Sequence, residues 1–128
     1  MHDITEGGVL GALYELSAVA NLGFSINVSR IHVHPFTAKL CLALGIDPLR
    51  LVSSGSLLIA AVEGDKLVTE LRHQGVEAEV IGHFAVGNNK RLLLYETDNY
   101  GDCHYRLLEE PKGDALWEAM SLLTKQTV

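Results

Sequence analysis

The sequence has few residues of several kinds, and each shortage excludes a class of protein. Its two cysteines, Cys41 and Cys103, are too few for a disulfide framework, so both thiols are expected to be reduced, as in a cytoplasmic protein. Ten lysines and arginines against sixteen aspartates and glutamates leave a net charge of −6. These basic residues are scattered and form no stripe that would displace counterions from phosphates, so we expect no binding to nucleic acid.

Long apolar runs are also missing. The longest, Leu57-Leu58-Ile59-Ala60-Ala61-Val62, has six residues, whereas a helix that crosses a bilayer needs about 20. No charged segment leading into an apolar one opens the chain, so neither secretion nor membrane insertion is expected. The 128 residues, 48% of them apolar, are enough for a single domain with its own core.

Hydrophobic periodicity predicts a mixture of helices and strands. Helices are expected at residues 7–22, 35–44, 66–74 and 113–125. Strands are expected at residues 24–28, 57–62, 78–86, 91–96 and 105–108, with no strand before the first helix. Because helices and strands do not alternate strictly, the predicted fold class is α+β, with a mixed β-sheet and helices packed on it in α/β/α layers.

Local signals add detail to this outline. The run 57–62 is expected to be a strand buried on both faces, and residues 97–104 a polar loop. The turn Gly87-Asn88-Asn89-Lys90 predicts a hairpin between its flanking strands. Asp65 is expected to cap the third helix, and Asp114 to complement the dipole of the last one. That last helix is expected to bury one face, formed by Leu116, Trp117, Met120 and Leu123.

The first eight residues, Met1-His2-Asp3-Ile4-Thr5-Glu6-Gly7-Gly8, form the segment most typical of a binding site. They bring two glycines into the start of a helix, where free main-chain amides and the helix dipole favour a phosphate or carboxylate. Thr5 is expected to be the N-cap of this helix. A plain junction between loop and helix remains the alternative interpretation, and Glu6 favours it because its carboxylate would repel an anion.

Several segments, taken in order, resemble one family. Met1 to Val9 resembles the loop Asp-Pro-Thr-Arg-Gly-Gly-Leu that opens the C-terminal domain of the aminoimidazole ribonucleotide synthetase (PurM-like) superfamily, in the branch with the hydrogenase-maturation carbamoyl dehydratases. Arg30-Ile31-His32-Val33 is similar to its Lys/Arg-Ile-Pro-Val connector. Leu44-Gly45-Ile46-Asp47-Pro48-Leu49 is similar to its Leu-Gly-Leu-Asp-Pro-Leu segment, and Val80-Ile81-Gly82-His83 to its Ile-Ile-Gly-Glu/Arg. The resemblance covers residues 1–86.

The resemblance implies a role in ATP-dependent activation of an oxygen by phosphoryl transfer. Family members have an N-terminal domain that holds ATP and magnesium and forms most of the dimer contact, and a C-terminal domain that faces the cleft. It implies that Asp3, Thr5, Gly7 and Gly8 bind phosphate or substrate and that His2, Ser54, Gly55 and Ser56 line the cleft. Replacing Gly8 with valine is then expected to abolish activity and leave the fold intact.

On this interpretation residues 1–128 are one C-terminal domain of a longer protein, and the chain is expected to be inactive alone. Its expected partners are its own N-terminal ATP-binding domain, a second copy in a homodimer, and a small-molecule or protein substrate. No cofactor is expected on the chain itself.

Two departures from the family pattern concern the substrate. Glu6 stands where the dehydratase branch has arginine, and the chain ends in Lys125-Gln126-Thr127-Val128 where the dehydratases carry Pro-Arg-Ile-Cys. Conversion of a carbamoyl to a cyano group is therefore not expected, and kinase, synthetase and dehydratase chemistry stay open. A non-catalytic protein-binding or scaffold module is the alternative function. A metal carrier using His32, His34 and the Cys103-His104 pair is a weaker one, and no metal site is predicted.

Overall fold

The computed structural model describes residues 1–96 and 103–125, which divide into two compact units. Unit 1 comprises Met1–Val19, Val33–Leu58 and Glu109–Val128, and unit 2 comprises Ala20–His32 and Ile59–Leu108. Most of the loop predicted at residues 97–104 lies outside the described residues. So do residues 126–128, at the end of the sequence where the dehydratases carry a cysteine.

The described residues form four α-helices and six strands. The helices are α1 (Gly8–Ala20), α2 (Pro35–Leu44), α3 (Gly64–His73) and α4 (Ala115–Lys125). The strands are β1 (His2–Asp3), β2 (Gly23–Asn27), β3 (Leu57–Leu58), β4 (Gly82–Ala85), β5 (Arg91–Glu96) and β6 (Cys103–Leu107). This content, with one sheet of mixed direction, confirms the α+β prediction. None of the helices in the described part of the chain has the length and apolar character needed to cross a bilayer.

Unit 1 opens with a short strand that the sequence prediction missed. β1 pairs with β3 in antiparallel register, with His2 opposite Leu58 and Asp3 opposite Leu57. The pairing continues where the Ile4 amide donates to the Ser56 carbonyl at 3.0 Å. A two-residue strand is too short for the alternating pattern from which strands are predicted, so this prediction was wrong.

The predicted buried strand at 57–62 is also wrong. Only Leu57 and Leu58 pair, and Leu58 alone of the two is buried. Leu57 is exposed and Val62 is fully exposed. The chain passes from unit 1 to unit 2 at Leu58 and Ile59. An apolar run does not reveal whether a neighbouring strand is present to pair with it.

Unit 2 contains a four-stranded sheet in the order β4-β2-β5-β6. β2 is antiparallel to β4 and parallel to β5, while β5 and β6 are antiparallel. The predicted hairpin between β4 and β5 is therefore wrong, because β2 lies between them. The Gly23 and Phe24 amides donate to the carbonyls of Asn88 and Lys90, at 2.8 and 2.9 Å. The turn residues thus carry the chain across the end of β2.

The predicted boundaries of the helices are mostly confirmed. α2 spans the predicted residues, with the His34 side chain accepting from the Phe36 amide, Pro35 in the first turn and Gly45 at the C-cap with φ +66°. α3 begins one residue before Asp65, so Asp65 lies in the first turn and is not the cap. A cap prediction depends on the exact first residue, which periodicity does not fix.

Each unit has its own buried apolar residues. Those of unit 1 are Ile4, Val9, Leu10, Ala12, Leu13, Cys41, Leu49, Leu58, Ala115 and Ala119. In unit 2 they include Phe24, Ile26 and Leu93. Phe24 also packs edge-to-face on Phe84, with 6.5 Å between ring centroids. Both cysteines are free thiols, and burial, with a smaller effect from Asp47, raises the pKa of the Cys41 thiol.

The large apolar side chains of α4 do not form the predicted buried face. Leu116, Trp117, Met120 and Leu123 are between 40% and 58% exposed. Ala115 and Ala119 are buried instead. Periodicity identifies which residues share a helix face, but it does not tell which face packs against the rest of the unit.

Candidate functional site

The segment from Asp3 to Gly8, here called the glycine loop, joins β1 to α1 in unit 1. Ile4 is buried and anchors it, while Asp3, Thr5 and Glu6 are exposed. The Gly8 amide donates to the Thr5 carbonyl at 3.2 Å, and the Gly11 amide donates to the Gly7 carbonyl at 3.0 Å. The loop is thus a tight turn that leads directly into the first turn of α1.

Thr5 is not the N-cap of α1, contrary to the sequence prediction. The helix begins at Gly8, three residues after Thr5. Thr5 contributes its main-chain carbonyl to the turn, and the residue is exposed. The two consecutive glycines move the start of the helix away from the expected cap because both have positive φ, +81° at Gly7 and +64° at Gly8.

Gly8 is in close contact with the chain's own backbone. A Cβ at this position would lie 2.5 Å from the Leu49 carbonyl oxygen and 2.7 Å from that of Leu51. The absence of a side chain therefore allows the segment 49–51 to pack against the start of α1. The expectation that Gly8→Val leaves the fold intact is consequently wrong.

The Gly7 amide donates to a buried carboxylate from far along the chain. Its partner is Oδ2 of Asp114, at 2.9 Å and 107 residues away in sequence. Asp114 is 3% exposed, and its Oδ1 accepts from the Leu116 amide at 2.8 Å. Sequence reasoning assigned Asp114 only to the dipole of α4, and no local signal links it to Gly7.

Glu6 is held by α4. The indole Nε1 of Trp117 donates to Oε1 of Glu6 at 3.0 Å. This hydrogen bond gives a role to the exposed Trp117, which sequence analysis placed in the core. It also keeps a carboxylate beside the two glycines, where the dehydratase branch carries an arginine.

His2 is fixed from two sides next to the loop. Its Nδ1 lies 2.6 Å from the main-chain oxygen of Asp3, and its Nε2 lies 2.8 Å from the Glu15 carboxylate on α1. The imidazole therefore ties β1 to α1. Asp3 orients His2 through its main chain, while its own side chain is exposed.

The predicted cleft-lining turn lies beside the glycine loop. Ser56 accepts the Ile4 amide, and its own amide donates to the Ser53 carbonyl at 3.1 Å. The hydroxyls of Ser53 and Ser56 are 2.9 Å apart. Gly55 at the tip has open space around its Cβ position. The structure thus brings the 54–56 turn and residues 3–8 together.

A groove of about 280 Å³ borders the loop in unit 1. Three carboxylates contribute to it, and Gly7 is the one residue of the predicted phosphate-binding set among its described lining. The lining residues are Glu6, Gly7, Gly11, Tyr14, Glu15, Glu110, Pro111 and Gly113. This side of the loop is therefore acidic and unfavourable for an anion.

His34, one residue of the weaker metal hypothesis, caps a helix. Nδ1 of His34 accepts from the Phe36 amide at 3.3 Å at the start of α2. Across residues 1–96 and 103–125, no group of three or more histidine, cysteine, aspartate or glutamate side chains is arranged to hold a metal ion.

The chain is similar to known proteins along most of its length. The family model for AIR synthase related protein, C-terminal domain, matches residues 1–94. Carbamoyl dehydratase HypE of Rhizobium leguminosarum bv. viciae is 36% identical over 93 residues, which cover 70% of this chain and 27% of that protein. The chain therefore spans little more than a quarter of this relative.

Solved structures of HypE are also similar to this chain. The crystal structure of Escherichia coli HypE, a hydrogenase maturation protein, aligns with a TM-score of 0.70 and 26% identity over 91% of this chain and 36% of that one. A HypE–HypF complex aligns with a TM-score of 0.66 and 28% identity over 85% of this chain and 35% of that chain. These likenesses confirm the resemblance stated from sequence. The chain belongs to the family of AIR synthase related proteins, and its residues 1–94 match the C-terminal domain of that family.

Proposed function

We propose that this chain is the phosphate- and substrate-facing domain of an ATP-dependent protein that acts in hydrogenase maturation. The observation that carries the proposal is that the segment matched by the family, residues 1–94, contains both the glycine loop and the adjoining 54–56 turn. The similar proteins are named as carbamoyl dehydratases and hydrogenase maturation proteins. The proposal includes a cytoplasmic location, with ATP and magnesium held mainly by a separate N-terminal domain.

The glycine loop offers a limited set of groups for a phosphate. The exposed Thr5 hydroxyl fits one, and so does the Gly7 amide once Asp114 releases it, whereas Glu6 and the carboxylates of the adjoining groove do not. ATP would supply the phosphoryl group. The chain's own contribution is to position that group and stabilise the charge on it, which is most of what phosphoryl transfer requires of a protein. His2 and the 54–56 turn would border the substrate.

The proposed partners have a surface available in unit 1. The exposed apolar side chains of α4 form a surface of the kind that marks protein contacts. Family membership favours two partners for this surface, which are the N-terminal domain of the same protein and a second copy of the chain. A similar protein, HypE, has been crystallised in a complex with HypF, which supports protein association as part of the function.

A hybrid protein tests the proposed function. Residues 1–128 replace the aligned C-terminal part of E. coli HypE, and ATP consumption is measured for the hybrid and for its Thr5→Ala variant. We expect the hybrid to consume ATP and Thr5→Ala to lower the rate about a hundredfold, the loss typical of removing one donor that stabilises developing charge.

Thr69→Ala is the matched control, since Thr69 is also an exposed threonine but lies on α3, in unit 2. It is expected to leave ATP consumption unchanged. A folded hybrid that consumes no ATP, or one in which both alanine variants behave alike, would count against the proposed function and favour a scaffold role.

A further inference from the structure

Asp114 holds the starts of two helices at once. It is almost fully buried, and its two carboxylate oxygens accept from the amides of Gly7, just before α1, and Leu116, in the first turn of α4. A carboxylate is stabilised at a helix N-terminus by the free amides and the dipole. Asp114 therefore occupies, from within the chain, the position that a bound anion would take at the glycine loop.

Three further hydrogen bonds keep the start of α4 against the rest of unit 1. Trp117 donates its indole proton to Glu6 of the loop. Nη2 of Arg50 donates to the Gly113 carbonyl at 3.2 Å and to the Glu118 carboxylate at 2.7 Å. Arg50 belongs to the same segment that packs on Gly8. Asp114 is thus held in place by its neighbours on both sides.

The loop and the carboxylate come from different parts of the chain. The glycine loop lies inside the segment that matches the family, whereas Asp114 and α4 lie beyond residue 94, where that match ends. The hydrogen bond that occupies the Gly7 amide therefore depends on a segment outside the family-model match.

We propose that Asp114 is an internal competitor for phosphate, which binds the Gly7 amide only when this carboxylate leaves it. The inference rests on the proposed function, because it takes the glycine loop as the phosphate site. Both anions need the same donor, and their charges repel each other. The loop is thus self-inhibited while Asp114 accepts from the Gly7 amide, and release of Asp114 makes the loop available.

Titration with inorganic phosphate tests this competition in the full chain. Amide signals of Gly7 and Gly8 are followed by nuclear magnetic resonance in the wild type, in Asp114→Asn and in Glu110→Gln. Asparagine has the same shape and keeps an oxygen for the Leu116 amide, but loses the charge. We expect Asp114→Asn to bind phosphate about tenfold more tightly, since the asparagine oxygen stays with the Leu116 amide and the Gly7 amide loses its charged acceptor.

Glu110→Gln removes an equal charge from the groove beside the loop. It should strengthen phosphate binding clearly less than Asp114→Asn does, because the carboxylate that accepts from the Gly7 amide is that of Asp114. If the wild type binds phosphate and Asp114→Asn binds it no more tightly, the competition is wrong and the proposed function stands. If neither the wild type nor Asp114→Asn binds phosphate, the competition and the proposed function are both wrong. Equal strengthening by Glu110→Gln overturns the competition in favour of a general charge effect.

If Asp114→Asn does not fold, a phosphate titration of the wild type alone tests the competition. Saturating phosphate should shift the Gly7 amide and the side-chain carboxyl carbon of Asp114 together, because the carboxylate leaves its donor. A shift of the Gly7 amide while the Asp114 carboxyl carbon stays unchanged would overturn the inference.

Discussion

Gly8→Ala is expected to destabilise unit 1 by on the order of 4 kcal/mol, the sum of a strained left-handed backbone and severe overpacking. The new methyl group would meet the Leu49 and Leu51 carbonyl oxygens at 2.5 and 2.7 Å, and these are backbone atoms that cannot rotate away. The measurement is urea unfolding followed by the fluorescence of Trp117, the single tryptophan of the sequence and a residue of unit 1.

Gly45→Ala is the matched control. Gly45 has φ +66° against +64° at Gly8, but no atom lies within 4 Å of its Cβ position. Gly45→Ala should therefore lower the free energy of unfolding only by the backbone strain, about 1 kcal/mol. Similar losses at both glycines would mean that the start of α1 is not packed on the 49–51 segment.

Gly23→Ala is expected to destabilise the sheet of unit 2 by on the order of 4 kcal/mol through overpacking. The added Cβ would lie 2.1 Å from the Asn88 carbonyl oxygen and 2.4 Å from that of Lys90. Hydrogen exchange at the amides of β2 and β5 measures the effect within this unit. The substitution tests the insertion of β2 between β4 and β5.

Gly87→Ala distinguishes the strand order β4-β2-β5 from a direct hairpin between β4 and β5. Gly87 lies in the same turn with φ +75° and open space at its Cβ position, so it should cost about 1 kcal/mol of backbone strain. If β4 and β5 formed a hairpin, Gly23 would tolerate alanine and Gly87 would be the more sensitive position. That outcome would contradict the strand order described above.

Local sequence signals predicted the elements better than their partners. The boundaries of α2 followed from Pro35 and Gly45, because proline and glycine act on the residues next to them. The strand order did not follow from Gly87-Asn88-Asn89-Lys90, since a turn motif cannot report a third strand from residues 23–27. Likewise, the run 57–62 had strand composition but only two residues with a pairing partner.

The glycine loop was identified from sequence as a candidate site, but its occupant was not. Two glycines before an apolar helix are a local pattern and so were visible in the sequence. The hydrogen bonds from Gly7 to Asp114 and from Trp117 to Glu6 join residues more than 100 positions apart. Such contacts depend on how α4 packs, and only the three-dimensional structure reveals them.

In the proposed function, the glycine loop faces the phosphates of ATP. The most direct measurement uses the hybrid with E. coli HypE, comparing the Gly7 and Gly8 amide signals with Mg²⁺–ATP and with paramagnetic Mn²⁺–ATP bound. If the loop lies beside the phosphates, Mn²⁺ should broaden both signals strongly. Unbroadened signals at saturating Mn²⁺–ATP would place the nucleotide away from the loop and contradict the claim.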